Sequence, residues 1–266
     1  MKLALAQLDI DADDVDGNVD RARSAIAAAA DDGADLVALP EIFNVGYFAF
    51  DRYRDRAEPL SGPTLSAMAD AARDHGVAVL AGTIVEDLAA TDGPTPADEG
   101  LANAAVLFDD RGERQLVYRK HHLFGYESAE AELLVPGERL ETADVGGFTV
   151  GVTTCYDLRF PELYRDLAEQ GASLVLVPSA WPYPRVEHWR VLSRARAIEN
   201  QFFLGTINGS GTFDGTTLLG RSTVYDPWGN LLASTGDEPS IVTATIDPDR
   251  VAAVREEFPA WHDRRR

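Results

Sequence analysis

The chain has 266 residues, 45% of them hydrophobic and 26% charged, with a formal net charge of -20 at pH 7. That hydrophobic share suffices for a sizeable core in one large α/β domain or two small ones, while the charge repels nucleic acid and anionic membranes as partners. A single cysteine, Cys155, excludes an internal disulfide framework and any multi-cysteine zinc or iron–sulfur site, and it fits a reducing cytoplasm.

No apolar run approaches the length of a membrane span. The N-terminal run ends at Leu8-Asp9 without a cleavage-like site, so it reads as a strand and not as a signal peptide. The cations are almost all arginine, Lys2 and Lys120 being the only lysines. An acidic, lysine-poor surface is expected of a protein kept soluble in high salt, where screening removes much of the self-repulsion, so a salt-adapted host is expected. Against that background the internal Lys120 stands out as a functional candidate.

In chain order, residues 2–8 read as a first strand, and an acidic loop leads to Asn18, the expected N-cap of a helix that runs to about Asp32 and stops at Gly33. Leu36-Val37-Ala38-Leu39-Pro40 is continuously apolar, as buried parallel strands are, and its carboxyl end delivers Glu41. Ligands of such β-α-β sheets gather beyond the carboxyl ends of strands. Ser61-Gly62-Pro63-Thr64 reads as a turn, with a short helix to about His75, and a strand is expected over 77–84. Residues 86–100, acidic and rich in Ala, Pro and Gly, read as an exposed loop. Strands over 102–108 and 114–118 flank the hairpin turn Asp109-Asp110-Arg111-Gly112, and Lys120 leaves the second of them. Residues 121–132 show no period and read as a loop with three acids, Glu127, Glu130 and Glu132, before Pro136-Gly137.

Residues 148–153 read as a buried strand running into Cys155, and Pro161 suits the first turn of the helix that follows. The thiol is thus expected on a strand-to-helix turn, where a helix N-terminus and nearby cations lower a thiol's pKa. Position alone fits a reactive thiol and a buried structural one equally. Leu174 to Pro178 reads as another buried strand, with Trp181 past its end. A helix over about 187–200 follows, then a strand over 202–207, a flexible turn over 209–215, strands over 216–225 and 231–234, and a last strand over 241–246. No linker divides the chain, so residues 1–266 read as one domain ending in a C-terminal tail. Its two β-α-β-rich halves predict two sheets covered by helices, a layered α/β sandwich.

A thiol that attacks a carbonyl or nitrile carbon needs a base for its proton, a donor for the developing oxyanion and an acid for the leaving amine. Three strand ends supply them, with Glu41 as base and then acid, Lys120 as the stabilising cation and Cys155 as the nucleophile. Histidine is the usual partner in thiol hydrolases; of His121 and His122, next to Lys120, one is expected to face inward, and His188 is a third candidate. Asp157 and Arg159 read either as substrate ligands or as an ion pair fixing the turn after the cysteine. Arg194 and Arg196 read as helix-face partners of Glu199. Tyr47, Phe124 and Trp181 follow catalytic or sheet-end positions and are expected to wall a pocket.

Leu39-Pro40-Glu41, Tyr118-Arg119-Lys120 with His122-Leu123-Phe124, and Cys155-Tyr156-Asp157-Leu158-Arg159-Phe160-Pro161-Glu162 resemble, in this order, the three signature regions of the nitrilase superfamily of carbon–nitrogen hydrolases. The similarity runs nearly end to end. Trp181-Pro182, His188-Trp189 and the segment from Arg194 to Gln201 look like the omega-amidase or Nit-like branch, whose members cleave amides of dicarboxylic or keto acids. The resemblance implies a four-layer α-β-β-α sandwich, a Glu-Lys-Cys triad of Glu41, Lys120 and Cys155, and no metal or organic cofactor. The Tyr156 backbone N–H is expected to join Lys120 as an oxyanion donor. A second glutamate is implied six residues before a Pro-Gly pair, which selects Glu130 over Glu127 and Glu132, to orient the lysine and the reacting amide.

The reaction so implied is hydrolysis of a small-molecule amide to ammonia and a carboxylic acid through a cysteine thioester. Nitriles and N-carbamoyl compounds are the alternative substrates, because the segment from Phe124 to Leu134 departs from that of close omega-amidases. Family members usually pair through the face following the cysteine helix, so a homodimer or higher homo-oligomer is expected. A nitrilase-like binding scaffold need not keep the triad, and a thiol redox sensor usually has a resolving second thiol, which this chain lacks.

Overall fold

In β1 (Lys2–Gln7), Leu3 and Leu5 lie in one buried apolar cluster and Ala4 and Ala6 in another. A strand's side chains alternate, so β1 is buried on both faces and must have a layer on each side. The computed structural model describes residues 1–265 except Glu127 and Asp214. After β1 the chain forms α1 (Val15–Asp31), β2 (Leu36–Ala38), α2 (Tyr53–Arg56), α3 (Pro63–His75), β3 (Ala78–Leu80), β4 (Ile84–Asp87), β5 (Leu101–Phe108) and β6 (Arg114–Arg119). The second half adds α4 (Glu130–Leu133), β7 (Thr142–Val145), β8 (Phe148–Val152), α5 (Pro161–Glu169), β9 (Leu174–Ser179), α6 (Val186–Asn200) and β10 (Phe203–Asn208). It closes with the small hairpin β11 (Thr212–Phe213) and β12 (Thr216–Thr217), then β13 (Thr223–Tyr225), β14 (Leu231–Ser234), β15 (Ser240–Thr245) and α7 (Asp249–Glu257).

Two large sheets result, one ordered β15-β1-β2-β3-β5-β4 with β6 on β5, the other β14-β13-β10-β9-β8-β7. Leu3, Leu5, Leu36 and Leu80 of the first meet Phe148, Val150, Leu174 and Leu176 of the second in a shared core between the sheets. The opposite face of the first sheet packs on α1 and α3 through Ala4, Val37, Ile26 and Met68. The opposite face of the second packs on α5 and α6 through Val175, Val177, Leu167 and Trp189. The order of layers is α-β-β-α, the expected sandwich. Among the described residues no helix is long and apolar enough to cross a membrane.

Several local expectations are corrected. The first helix starts earlier than Asn18, because the Asp14 carboxylate accepts from the Gly17 N–H at 3.0 Å and caps it. Asn18 is buried inside the helix, where its amide donates to the Asp11 and Asn44 carbonyls. The strand expected over 77–84 breaks into β3 and β4 at Gly82, whose φ is +49° and whose Cβ, were there one, would lie 2.0 Å from the Pro40 carbonyl oxygen. Glu86 does not belong to the exposed loop. It sits buried in β4, paired with Arg119 at 2.6 and 2.7 Å across β5. The strand expected over 216–225 is interrupted at Gly220 and Arg221, both with positive φ. β7 and α7 had no expectation, and the turn expected over 209–215 holds β11, which pairs with β12.

Candidate active site

Three strands of the two sheets end at one place. Past β2, Leu39 and Pro40 carry the chain to Glu41; past β6 comes Lys120, whose N–H donates to the Asn103 carbonyl on β5 at 2.9 Å; past β8 come Thr153, Thr154 and Cys155. Cys155 opens a 3₁₀ turn over Cys155–Arg159 before α5 begins, and its φ is +46°. An L residue in this left-handed region is strained, and such a conformation persists only where the surroundings over-determine it.

Asp157 supplies much of that surrounding. Fully buried, its carboxylate accepts from the Thr154 N–H at 3.0 Å, the Tyr118 hydroxyl at 2.6 Å and the His122 N–H at 2.9 Å, and lies 2.9 Å from His122 Nδ1. One side chain therefore ties the turn that carries Cys155 to the residues on either side of Lys120. The expected ion pair between Asp157 and Arg159 is not formed, because these partners occupy Asp157 while Arg159 lies over the Tyr156 and Trp181 rings and donates to His188 Nδ1. Arg196, beyond its pairing with Glu199 at 2.8 Å, is buried and donates twice to the Leu158 carbonyl, so it also braces this turn.

Glu41, Lys120 and Glu130 are buried together. Lys120 Nζ donates to Glu41 Oε1 at 2.8 Å and to Glu130 Oε1 and Oε2 at 2.7 and 3.0 Å. Glu130, on α4, also accepts from the Tyr47 hydroxyl at 3.0 Å and the Phe124 N–H at 2.7 Å. Of the other two acids of that segment, Glu132 is exposed and Glu127 lies outside the described residues. Glu41 Oε2 accepts from the Ala180 N–H at 2.9 Å. The Cys155 thiol, 8% exposed, lies beside the Glu41 carboxyl and the Ala180 N–H, both of which act on its acidity.

Burial sets the electrostatics. It pushes the Cys155 thiol well up, and the neighbouring Glu41 charge pushes the same way, against a smaller opposing pull from Lys120. The expectation of a lowered thiol pKa is therefore reversed: the turn is a short 3₁₀ segment inside the core, and a carboxylate stands next to the sulfur. Burial also raises Glu41, with Lys120 acting against it and Glu130 with it. Burial pulls Lys120 down, yet Glu130 and Glu41 together outweigh it and hold the ammonium well above its ordinary value. The resting centre is thus a neutral thiol beside a carboxylate of enhanced basicity and a fixed cation. Such an arrangement is chemically able to pass the thiol proton to a neighbouring carboxylate without a preformed thiolate.

Tyr47, Phe124 and Trp181 line a cavity together with Cys155, and Phe48, Tyr156, Ala180, Pro182, Arg159 and Arg185 complete its wall. Tyr156 belongs to the start of the 3₁₀ turn, where backbone N–H groups lack an intrahelical acceptor. None of the three histidines bonds to Cys155. His122 stacks on Phe160 with centroids 3.6 Å apart, His121 stacks on Tyr118, and His188 faces Arg159. Trp228 packs on Phe258. Asn103, Ala180 and Arg185 had no place in the sequence reading. Only Asn103 left a signal, as a lone amide within the apolar run of β5.

A family model for carbon–nitrogen hydrolases matches residues 2–256. The 2-oxoglutaramate amidase of Paenarthrobacter nicotinovorans is 36% identical over 237 residues, covering 87% of this chain and 79% of that protein. The omega-amidase NIT2 of Homo sapiens is 34% identical over 273 residues, covering 99% and 95%. Among solved structures, Saccharomyces cerevisiae Nit3, a member of branch 10 of the nitrilase superfamily, superposes with a TM-score of 0.87 at 31% identity over 97% of this chain and 94% of that one. The E41Q mutant of an amidase from Nesterenkonia sp. AN1 superposes with a TM-score of 0.83 at 30% identity, covering 97% and 98%, and shows the result of Michael addition of acrylamide at its active-site cysteine.

Proposed function

Because the chain belongs to the carbon–nitrogen hydrolase family, in its Nit-like branch, we propose that it hydrolyses the terminal amide of a small carboxylic acid, releasing ammonia, through a thioester on Cys155. The observation that carries this reading is the Lys120 ammonium held between Glu41 and Glu130, with Glu41 beside the Cys155 thiol that lines the cavity.

The proposed cycle follows from that arrangement. Glu41 takes the thiol proton as Sγ attacks the amide carbon, and the carbonyl oxygen, now an oxyanion, accepts from Lys120 Nζ and the Tyr156 N–H. Protonated Glu41 returns its proton to the nitrogen, the C–N bond breaks and ammonia leaves. A water then gives a proton to Glu41 and attacks the thioester. The C–S bond breaks, the proton passes back to sulfur and the acid departs. Glu130 keeps Lys120 aimed throughout.

The substrate's own charge is read from the wall. Arg159 and Arg185 line the cavity, held over Trp181 and Phe124 with guanidinium carbons 4.8 and 5.9 Å from the ring centroids. Among the described residues neither has an acidic partner in an ion pair, in a chain with 44 acidic residues. Fixed guanidiniums facing a pocket recognise a carboxylate. The relative named for 2-oxoglutaramate supports the same class of amide. Ammonia release from matched amides with and without a distal carboxylate is expected to favour the acids at least about tenfold in kcat/KM. Arg185→Gln is expected to raise KM for the acids about 10- to 100-fold and leave neutral amides unchanged. Equal turnover of neutral amides, nitriles or N-carbamoyl compounds would sink this substrate class.

We further propose salt adaptation, which the charge of -20 and the two lysines support. The melting temperature and kcat/KM are expected to rise between roughly 0.1 and 1 M KCl, as the screening length shrinks from about 10 to about 3 Å. A fall in both over that range contradicts it.

A further inference from the structure

We infer that Asn103 is a positioning residue that holds Glu41 and Glu130 in place while Lys120 turns to the substrate, an inference that rests on the amidase reading above. β5 reads Leu101-Ala102-Asn103-Ala104-Ala105-Val106-Leu107-Phe108, apolar except for this one carboxamide, which is buried. An amide placed in a sheet core is costly where its bonds are unmade. Asn103 keeps part of that cost, since its Oδ1 is buried without a partner. Its Nδ2, by contrast, donates to Glu41 Oε1 at 2.9 Å and to Glu130 Oε1 at 3.3 Å.

These are the two oxygens that Lys120 Nζ approaches at 2.8 and 2.7 Å. Two donors, one charged and one neutral, therefore bridge the same two acceptors of two like-charged groups. In the transition state Nζ must turn part of its donation to the oxyanion. Asn103 then remains on both Oε1 atoms. Glu41 Oε2, on the side of the Ala180 N–H, stays available for the thiol proton. A carboxamide has no proton to surrender at neutral pH, so it holds the acids without entering the proton transfer.

Asn103→Leu is the discriminating variant. It is nearly isosteric, removes the donor and also removes the unpartnered acceptor, while the backbone bond from Lys120 N–H to the residue-103 carbonyl is kept. A side chain with only a structural part would leave kcat unchanged. The positioning role predicts a kcat roughly 10- to 100-fold lower with KM little altered. It also predicts an acidic limb of kcat/KM displaced upward by about one pH unit, because a carboxylate that loses a donor holds its proton to higher pH. Alkylation of Cys155 by 2-iodoethanol, followed against pH, is expected to show the same displacement without any amide. That readout survives even where the substrate class is wrong. Should the leucine variant not fold, Asn103→Ser is expected to show the same two displacements. A folded variant with the parent kcat and an unmoved pH profile overturns the inference.

Discussion

Cys155→Ala is expected to lose amide hydrolysis by at least about 10⁴-fold while retaining the fold. The thiol is a small buried group at the end of β8, and the turn that carries it is held by Asp157 and Arg196, not by the sulfur. Losing the thiol therefore removes chemistry and little packing. Circular dichroism and thermal melting of the variant check the second half of the statement. Mass spectrometry of the parent during turnover is expected to show an acyl adduct on Cys155, and the variant none. Activity within tenfold of the parent would remove the thioester from the mechanism, because no other cysteine exists to replace it.

Lys120→Ala is expected to affect both activity and stability. Loss of an oxyanion donor alone lowers kcat about 10²- to 10³-fold, and loss of the group between Glu41 and Glu130 adds to it. The same change leaves two buried carboxylates without their cation, a change that costs about 3–5 kcal/mol. The pH dependence gives the sign. In the parent, the raised Lys120 pKa contributes stability that is complete below the unfolded value of about 10.4 and is lost as pH rises through the higher folded value. In the variant, the orphaned acids hold their protons in the fold more tightly than in the unfolded chain. Its stability deficit is therefore small near the ordinary carboxylate value of about 4.3 and grows toward neutral pH. Urea midpoints at about pH 5 and pH 8 test this, and a deficit equal at both would mean that the lysine stem, not its charge, stabilises the site.

The residues that the sequence exposed and those that it hid differ for physical reasons. Glu41, Lys120 and Cys155 stand just beyond apolar runs, so reading each strand to its carboxyl end finds them. Glu130 has no such frame: its segment lacks a period, and only the likeness of its spacing to the family's singled it out. Asn103 lies inside an apolar strand, where a single amide reads as tolerated until its two partners are in view. The thiol's acidity is not legible from its turn, because its sign is set by burial and by Glu41, distant in sequence and adjacent in space. For Asp157 the chain offers substrate binding or a pair with its near neighbour Arg159, whereas the partners that hold it, Tyr118 and His122, come from across the sandwich. Glu86 was assigned to the acidic loop by its composition, whereas its partner Arg119 sits two strands away.

The pairing of β1 with β15, from Lys2 opposite Thr245 to Gln7 opposite Ser240, has a further meaning for how the molecule is made. A ribosome releases β1 first and β15 only after the residues that form both sheets. Through most of synthesis one edge of β1 has open backbone groups, a template for pairing with other chains. Contacts of such sequence separation form slowly. The nascent chain accordingly carries this open edge until residues 240–245 emerge, and the strand that protects β1 is separated from it by both sheets' worth of sequence.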